Sequence, residues 1–560
     1  MKKKTIKKLV GVVLGLILVA VAGHYGIHGY AAYRQGRLVK QAKEYLVQRE
    51  ERKALLCLQR ALRHDARDVE ACRLMAQLTE AGRSPAALVW RSRVVELNPR
   101  STDDRLALAQ TALSVRDYAS ATNALEGVDA AGKKTAAYHN IAGAVASAAN
   151  QLAGAEAHFL EAARLEPQNA VLQLNLSVVR LRGTNAPALA AARSALQRIA
   201  TNPTNATLRC QALRELTLDS LRAKQSAAAL ALSRQLLAET NSVFRDRLLR
   251  LEVLRETKSA EYQPALATFQ REAAGEPGKA YELGAWQMAN TTPADTLTWL
   301  RTLPPDTQTN LAVAMITAEG YTALRDWPGL QAAVDPQNWG ELEFIRHAFK
   351  ARALRGQELT SAAMGEWELA LKLANSQKAS LGMLLRLAAA WQWQSEGEEI
   401  LWSIVNRYPG EKWAFQALTQ ALFAGGRTRP LMMLYSQELK RSPSDLGIKN
   451  NLAVTAFLLD AKELKPHDLA REVYEKASTN AAFASTYAFS LHLQDKNAEA
   501  LKVMQTLAPK YLEDPAIAGY YGLILKATGD NGKAQAYLNW AFKAPMLPEE
   551  RKMFERAKAR

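Results

Sequence analysis

The chain has 560 residues, of which 48% are hydrophobic and 23% charged, and its formal net charge is +17. This length exceeds one ordinary hydrophobic core, so several domains or a repeat array are expected. The near-average composition excludes a largely disordered protein. The three cysteines, Cys57, Cys72 and Cys210, are too few for a disulfide framework, and their number is odd.

The positive charge is concentrated near the N-terminus. Residues 1–100 contain 20 Lys and Arg against 8 Asp and Glu, a net +12, which leaves +5 for the other 460 residues. Nucleic-acid binders usually carry a basic stripe on a folded face, whereas this excess adjoins an apolar segment, where anionic lipid headgroups would meet it. We therefore expect the basic flanks to contact anionic lipid, and we expect no nucleic-acid partner.

Residues 1–33 predict a membrane anchor or a signal segment. Five lysines fall within residues 2–8, and Leu9–Ala22 then contains no polar side chain. The uncharged stretch continues to Tyr33. It is therefore long enough to cross a bilayer as a helix, which takes about 20 residues. Because basic residues are retained on the cytoplasmic side, the chain that follows would be translocated.

Two interpretations of this segment stay open. Its length favours an uncleaved anchor, so that the protein spans the cytoplasmic (inner) membrane once and the remaining chain lies in the periplasm. Ala20-Val21-Ala22 also matches an A-x-A cleavage signature. Secretion after cleavage near Ala22 is therefore the alternative.

The segment Pro515–Phe542 predicts a helix, a turn and a second helix. Its apolar residues recur at spacings of three and four, which places them on one face of each helix. The marker residues of the first helix, the turn and the second helix are Tyr521, Gly522 and Leu525, then 529–532, then Ala534, Leu538 and Ala541.

The same pattern recurs upstream at 68–99, 136–167, 412–443 and 481–509. Prolines close several of these units, and a proline stops a helix because it cannot donate the next helical hydrogen bond. The units resemble the tetratricopeptide repeat, whose unit is about 34 residues long. Pro409 and Pro443, for example, are separated by one such unit.

The resemblance implies an all-α fold: a right-handed α-solenoid of helix–turn–helix repeats, preceded by one N-terminal transmembrane or signal helix. Hairpins of this kind must stack because one hairpin alone cannot bury both of its apolar faces. The resemblance also implies a concave groove, lined by the first helices of successive units, in which other proteins or peptides bind. It further implies a non-catalytic scaffold or adaptor without a cofactor, and it allows a homo-oligomer.

The chain divides into five segments on these signals. The repeat pattern is clear in 68–180 and 378–545 and weak in 181–340, where prolines interrupt it, although helical hairpins are still expected there. The segments are the anchor or signal segment 1–33, N-terminal repeats 34–180, degenerate helical repeats 181–340, C-terminal repeats 341–546 and a polar capping helix 547–560.

The predicted partner-binding residues lie on the helix faces opposite the packing residues of the C-terminal repeats. Aromatic side chains with amide neighbours suit peptide binding, because they offer contact area and hydrogen-bond partners. The competing interpretation is that these aromatic side chains belong to the core. The residues are Trp413, Gln416, Gln420, Phe423, Asn450, Phe457, Phe489 and His492.

No catalytic or metal-binding motif is evident in the sequence, which lacks H-E-x-x-H, C-x-x-C and G-x-S-x-G patterns. We therefore expect no catalytic residues and no metal ligands. The alternative is an envelope glycan-active enzyme or carbohydrate-binding protein that uses the irregular region 181–340. Nine of the eleven tryptophans lie between Trp286 and Trp413, where they either pad the core or form such a patch.

Overall fold

The computed structural model describes residues 33–336 and 338–559. In these ranges the chain is helical and contains no β-strand, which confirms the all-α prediction. Its contacts divide it into two compact units, one ending at Trp286 and the other beginning at Gln287. The predicted anchor or signal segment, residues 1–33, lies outside the described ranges except for Tyr33.

The N-terminal unit and the segment at its boundary contain fifteen described helices. They are α1 (33–47), α2 (Glu51–His64), α3 (Val69–Ala81), α4 (Ala86–Leu97), α5 (Thr102–Ser114), α6 (Tyr118–Glu126), α7 (Ala136–Ala148), α8 (Leu152–Leu165), α9 (Ala170–Arg180), α10 (Ala186–Thr201), α11 (Ala206–Arg222), α12 (Ser226–Ala238), α13 (Phe244–Glu256), α14 (Tyr262–Ala273) and α15 (Pro277–Asn290), which contains the boundary.

The C-terminal unit contains the remaining described helices. They are α16 (Pro293–Leu300), α17 (Pro305–Gln308), α18 (Leu311–Leu324), α19 (Trp327–Val334), α20 (Glu343–Gly356), α21 (Thr360–Ala374), α22 (Lys378–Ala390), α23 (Gln394–Arg407), α24 (Lys412–Ala424), α25 (Thr428–Arg441), α26 (Leu446–Leu458), α27 (Pro466–Lys476), α28 (Ala481–His492), α29 (Asn497–Gln505), α30 (Pro509–Leu512), α31 (Pro515–Ala527), α32 (Asn531–Ala541) and α33 (Pro548–Ala559). Short 3-10 turns lie at Gly132–Lys134, Gly340–Leu342 and Lys462–Leu464.

The helices form hairpins that recur at a nearly constant interval. The spacing between the starts of successive first helices stays close to the tetratricopeptide period of about 34 residues. The starting residues are Val69, Thr102, Ala136, Ala170, Ala206, Phe244, Pro277, Leu311, Glu343, Lys378, Lys412, Leu446, Ala481 and Pro515.

One turn geometry joins the two helices of most hairpins. The turn contains a residue with positive φ, and the next N–H donates to the carbonyl five residues earlier, as Asp326 does to Tyr321 at 3.0 Å. This is the Schellman arrangement, which satisfies the free carbonyls at a helix end. The positive-φ residues of these turns are Arg49, Arg83, Arg116, Asn150, Lys224, Lys258, Arg325, Glu358, Gln392, Gly426, Asp460, Asp495 and Gly529.

The loops that enter the first helices follow a short pattern, a proline and then a capping residue two positions later. Ser101, Asn169 and Asp445 follow Pro99, Pro167 and Pro443 in this way, and each side chain accepts a hydrogen bond from a backbone N–H of the first turn. The proline ends the preceding helix, while the cap satisfies a free donor of the next one.

In the region 181–340, several prolines begin helices instead of interrupting them. Pro277, Pro293 and Pro305 are the first residues of α15, α16 and α17, while Pro187 and Pro328 lie within the first two positions of α10 and α19. A proline in the first helical turn removes no helical hydrogen bond, because that N–H has no partner there. The hairpin interval therefore continues through this region.

Small residues allow the two helices of a hairpin to approach closely. A Cβ atom on Gly143 would lie 2.9 Å from Phe159 Cδ1, and one on Gly522 would lie 2.8 Å from Leu538 Cγ. Phe159 and Leu538 are both buried. Glycine thus lets a large side chain of the second helix pack against the backbone of the first.

The tryptophans of the C-terminal unit mainly fill its core. Trp339, Trp367 and Trp393 are buried, and Trp393 makes edge contacts with both Trp367 and Trp391, with ring centroids 5.5 and 5.1 Å apart. They support the padding interpretation over the surface patch for these positions. Trp413 differs, since it is 46% exposed.

Within residues 33–336 and 338–559, no helix combines the length and apolar composition that a membrane crossing requires. The three cysteines are free, with Cys72 and Cys210 buried.

Candidate protein-binding face

The first helices α24, α26 and α28 carry the predicted site residues. We call the non-packing surface of these helices and of the next first helix, α31, the C-terminal first-helix face. On α24, Gln416, Gln420 and Phe423 follow one another at spacings of four and three, so they share one side of the helix. Gln416 and Gln420 are exposed and Phe423 is half-buried, while Leu418 and Leu422 are buried in the core.

Trp413 lies at the start of α24. Its indole Nε1 donates to Glu411 Oε2 at 2.7 Å, and the other oxygen of Glu411 pairs with Lys378 Nζ at 2.6 Å. The hydrogen bond from Lys378 and then the one from Trp413 lower the pKa of Glu411 below its usual value. The ring is thus held in place at its polar edge while its apolar surface stays accessible to solvent.

A cavity of about 330 Å³ opens beside the same side of α24. It combines aromatic rings with amide and hydroxyl groups from three helices. The lining residues are Phe415, Gln416, Thr419, Gln420 and Phe423 from α24, Tyr435 from α25 and Asn451 from α26. Three of the eight predicted residues therefore share one cavity.

The two hydroxyl groups of this cavity, those of Tyr435 and Thr419, differ in their hydrogen bonding. Burial raises the pKa of Tyr435 to about 12 against the opposing effect of a hydrogen bond with Asn451, so the phenol stays neutral. The hydroxyl of Thr419 is buried and has no hydrogen-bond partner among the described residues. A buried polar group without a partner is costly, so this hydroxyl lowers the stability of its surroundings.

Asn450 lies on α26 but is buried, and its side chain does not line this cavity. Its Nδ2 makes a long contact of 3.4 Å to Asn451 Oδ1, while its own Oδ1 has no hydrogen-bond partner among the described residues. The structure therefore places Asn450 behind the face, next to a residue that lines it.

Phe457, Phe489 and His492 form a second group on α26 and α28. The ring of Phe489 contacts Phe457 at 5.7 Å and stacks on His492 at 6.4 Å between centroids. Phe489 is 2% exposed and Phe457 is half-buried. His492 Nδ1 is 2.6 Å from Asn497 Oδ1.

Helix α33 covers this second group. Its Phe554 is buried in a cluster with Phe489, Tyr520 and Leu523, and the rings of Phe554 and Tyr520 meet edge to face at 5.4 Å. Further along, Thr428 at the start of α25 hydrogen-bonds to Glu549. The segment predicted as a capping helix thus lies across the first-helix face, from the α24–α25 turn to α31.

Several functional candidates are absent from the sequence-based set. Thr419, Tyr435 and Asn451 also line the α24 cavity. Tyr435 and Asn451 lie on α25 and α26, so only the packing of neighbouring helices brings them to this cavity. Helix α33 did carry a signal, because Leu547 and Phe554 are seven residues apart, an interval that returns to the same helix side.

A cavity of about 870 Å³ in the N-terminal unit lies beside α11 and α13, and two acidic residues, Glu215 and Asp246, line it. Burial raises the pKa of Glu215 above its usual value. The carboxylate of Asp246 accepts two hydrogen bonds from the guanidinium of Arg214 and one from the backbone N–H of Val243. Asp246 is therefore occupied as a structural partner, and these residues do not form the free carboxylate pair that glycoside hydrolysis uses.

Comparisons with known proteins add little to this description. No protein-family model matches the chain, and no curated protein matches it significantly. Among solved structures it is similar to Pseudomonas aeruginosa pilF, at 14% identity and TM-score 0.32 over 40% of this chain and 99% of that chain.

Two further similarities cover more of the chain. One is to a chain of the APC/C hetero-tetramer Cut9-Hcn1, at 12% identity and TM-score 0.30 over 83% of this chain and 98% of that one. The other is to a chain of Naa15/Naa10 bound to HypK-THB, at 10% identity and TM-score 0.26 over 93% and 96%. The tetratricopeptide-like fold assigned here rests on the helix interval and the turn geometry.

Proposed function

We propose that this protein is a non-catalytic scaffold that holds segments of other proteins on its C-terminal first-helix face. The observation that carries the proposal is the α24 cavity, which exposed amide side chains line together with partly buried aromatic rings. An incoming peptide would pack side chains against Phe415 and Phe423 and pair its backbone with Gln416 and Gln420. Aromatic anchors surrounded by polar groups are typical of protein-binding sites.

Site-specific photocrosslinking in intact cells tests this proposal. A photoreactive amino acid at Gln420 is expected to capture a discrete partner, because this side chain is exposed beside the cavity. The matched control position is Met433 on α25, which is 59% exposed but lies away from the cavity. Captured proteins are then identified by mass spectrometry.

A second variant separates binding from folding. Phe423→Ala is expected to reduce capture from Gln420 at least severalfold while circular dichroism shows the same helical content, since Phe423 is only half-buried. Equal capture from Met433 and Gln420, or capture unaffected by Phe423→Ala, would contradict the proposal. Loss of helical content would instead assign Phe423 to the core.

We also propose that the N-terminal segment tethers the scaffold to the cytoplasmic membrane, with the repeats on the periplasmic side. Support comes from the five lysines in 2–8 and the uncharged stretch to Tyr33. Such flanks favour anionic lipid headgroups by roughly 1 kcal/mol per basic residue.

Membrane fractionation with intact-mass analysis tests the tether. The anchored protein is expected to stay with membranes after alkaline carbonate washing and to keep its full mass. A mass that begins after Ala22 would support secretion, and full-length protein released by carbonate would contradict a spanning segment. Replacing the lysines of 2–8 by glutamine should reduce correct orientation.

A further inference from the structure

Helix α33 occupies the first-helix face of α26, α28 and α31 in the manner of a bound ligand. Its main anchor is Phe554, whose ring tip lies against the backbone of α31: a Cβ atom on Gly519 would be 2.4 Å from Phe554 Cζ. Leu547, immediately before the helix, is also buried and packs with the core around α24. Two apolar anchors seven residues apart are the usual signature of a helix docked into a receptor surface.

The polar contacts of α33 match the two ends of a helix. Near its N-terminus, Glu549 pairs with the hydroxyl of Thr428 and Glu550 with the hydroxyl of Tyr520. Near its C-terminus, Lys526 Nζ donates to the carbonyl of Ala557. The receptor thus presents hydroxyl donors to an acidic first turn and an ammonium to the free carbonyls, which complements the helix dipole and sets one direction of binding.

The docking of α33 leaves much of the interface unfilled. Of the residues of α33, Phe554 alone is buried. A cavity of about 550 Å³ remains between α33 and the helices below it. It is lined by Phe457, Leu458, Phe489 and Leu493 on the receptor side and by Glu549, Lys552, Met553, Arg556 and Ala557 on α33.

The linker before α33 and the short length of α33 also favour the replacement of this helix by another one. A non-helical segment, residues 542–547, joins α32 to α33. The cations of Arg551 and Lys558 lie 5.8 and 5.6 Å from the ring centroid of Phe542 at its start. Such exposed contacts contribute about 0.5–1 kcal/mol each. A helix of 12 residues is marginal in water on its own, so α33 depends on its docking to stay folded.

We propose that α33 is a resident ligand of this face and that a partner binds there by displacing it with an amphipathic helix of the same chemistry. That helix has a proline-led acidic first turn and an aromatic anchor seven residues after an aliphatic one. It also has apolar side chains at the positions of Lys552 and Arg556, where α33 leaves the cavity open. The inference rests on the proposed function only in that the displacing helix belongs to a partner protein.

A labelled synthetic peptide of residues 545–560 tests the resident-ligand proposal directly, with the full-length protein in mild detergent and fluorescence anisotropy as readout. The wild-type protein is expected to bind the peptide weakly, because its own α33 competes. Phe554→Ala in the protein should release α33 and raise the apparent affinity about tenfold or more. Glu555→Ala, an exposed position of the same helix, is the matched control and should behave as wild type.

Three further variants keep the result interpretable. A peptide with its own Phe554→Ala should not bind, and a peptide with Lys552→Leu should bind more tightly, because leucine fills the open cavity. Gly519→Ala in the protein should also loosen α33 from the receptor side, since its Cβ would collide with Phe554. Hydrogen exchange should then show α33 unprotected while α28 and α31 stay protected.

Equal peptide binding by the wild-type and Phe554→Ala proteins would overturn the proposal, as would no binding by a Phe554→Ala protein whose α28 and α31 remain protected. A wild-type dimer that the peptide converts to monomer would assign α33 to a second copy and overturn its residence in the same chain. None of these readouts uses the α24 cavity or a cellular partner. Failure of the Gln420 crosslinking would therefore leave this test unaffected.

Discussion

The two units build the same hairpins, but two hairpins of the N-terminal unit carry a charge at a position of the first helix that is uncharged in the C-terminal unit. In the N-terminal unit, Arg73 and Arg214 lie ten residues before the positive-φ residue of their hairpins, and each pairs with an aspartate of the next first helix. These aspartates, Asp104 and Asp246, are 4% and 1% exposed. The charges of this position are therefore satisfied within the unit.

In the C-terminal unit, the same position carries uncharged residues. Four successive hairpins have Gln416, Asn450, Ser485 and Gly519 there. The places that correspond to the aspartates are taken by apolar residues such as Ala414 and Ile448. These uncharged side chains form no charge pair between the helices, so the face remains open to a ligand beside α24 and to α33 over α26, α28 and α31. The comparison indicates that binding capacity depends on what the face leaves unsatisfied, while the hairpin scaffold is shared.

The largest expected effect comes from breaking one charge pair of the N-terminal unit. Arg214→Met keeps the aliphatic stem but leaves the buried Asp246 without its cation. Removing one partner of a buried pair typically costs about 3–5 kcal/mol, and we expect about 3 because Arg214 is itself partly exposed. Thermal unfolding followed by circular dichroism, with hydrogen exchange to locate the change at α11 and α13, measures it.

The matching change in the C-terminal unit is Gln416→Ala, at the same hairpin position. Gln416 is exposed and no buried charge depends on it, so stability should change by less than about 0.5 kcal/mol. A second control is Arg234→Met, whose pair with Glu261 is exposed on both sides. Similar losses for Arg214→Met and Gln416→Ala would show that the two units do not differ in this way.

The sequence predicted the helical class, the repeat interval and the prolines that close several units, because these depend on local signals. Prolines followed by Ser, Asn or Asp caps, as at Pro99 and Ser101, mark helix ends wherever they occur. Prolines such as Pro277 were harder to interpret, since a proline that breaks a helix and one that begins a helix look alike without the register of the repeat.

The candidate site was only partly predictable. Gln416, Gln420 and Phe423 follow from helix periodicity within α24, whereas Tyr435 and Asn451 reach the same cavity only through the packing of neighbouring helices. The burial of Phe489 beneath α33 depends on a contact between segments far apart in the chain, as the 121-residue separation of Thr428 and Glu549 shows. Such contacts have no local sequence signal.

A smaller effect is expected from the turns that both units share. Arg83→Gly in the N-terminal unit and Glu358→Gly in the C-terminal unit each relieve a positive φ, of 50° and 65°. The relief is worth about 1–2 kcal/mol, and the added backbone freedom of glycine offsets about 0.5–1 kcal/mol of it. We expect both variants to be stabilised by about 0.5–1 kcal/mol in chemical denaturation. Opposite signs in the two units would indicate that the scaffold itself differs between them.

The smallest effect at neutral pH concerns acid sensitivity. Burial alone would raise the pKa of Asp104, but hydrogen bonds from Arg73, Ser101 and Asn98 outweigh it and hold the pKa below its usual value. A depressed folded-state pKa stabilises the protein above the unfolded value of about 3.9, and this contribution is lost as pH falls through the folded pKa.

Hydrogen exchange between about pH 5 and pH 2.5 should therefore show the contact between α3 and α5 loosening before the one between α24 and α26, where no buried aspartate occupies this position. Asp104→Asn should weaken the α3–α5 contact at pH 7 and remove its further loss in acid, because asparagine does not titrate. Simultaneous loosening of both contacts, or an unchanged acid response in Asp104→Asn, would place the acid-sensitive groups elsewhere and would separate the pH dependence from the charge pairs that distinguish the two units.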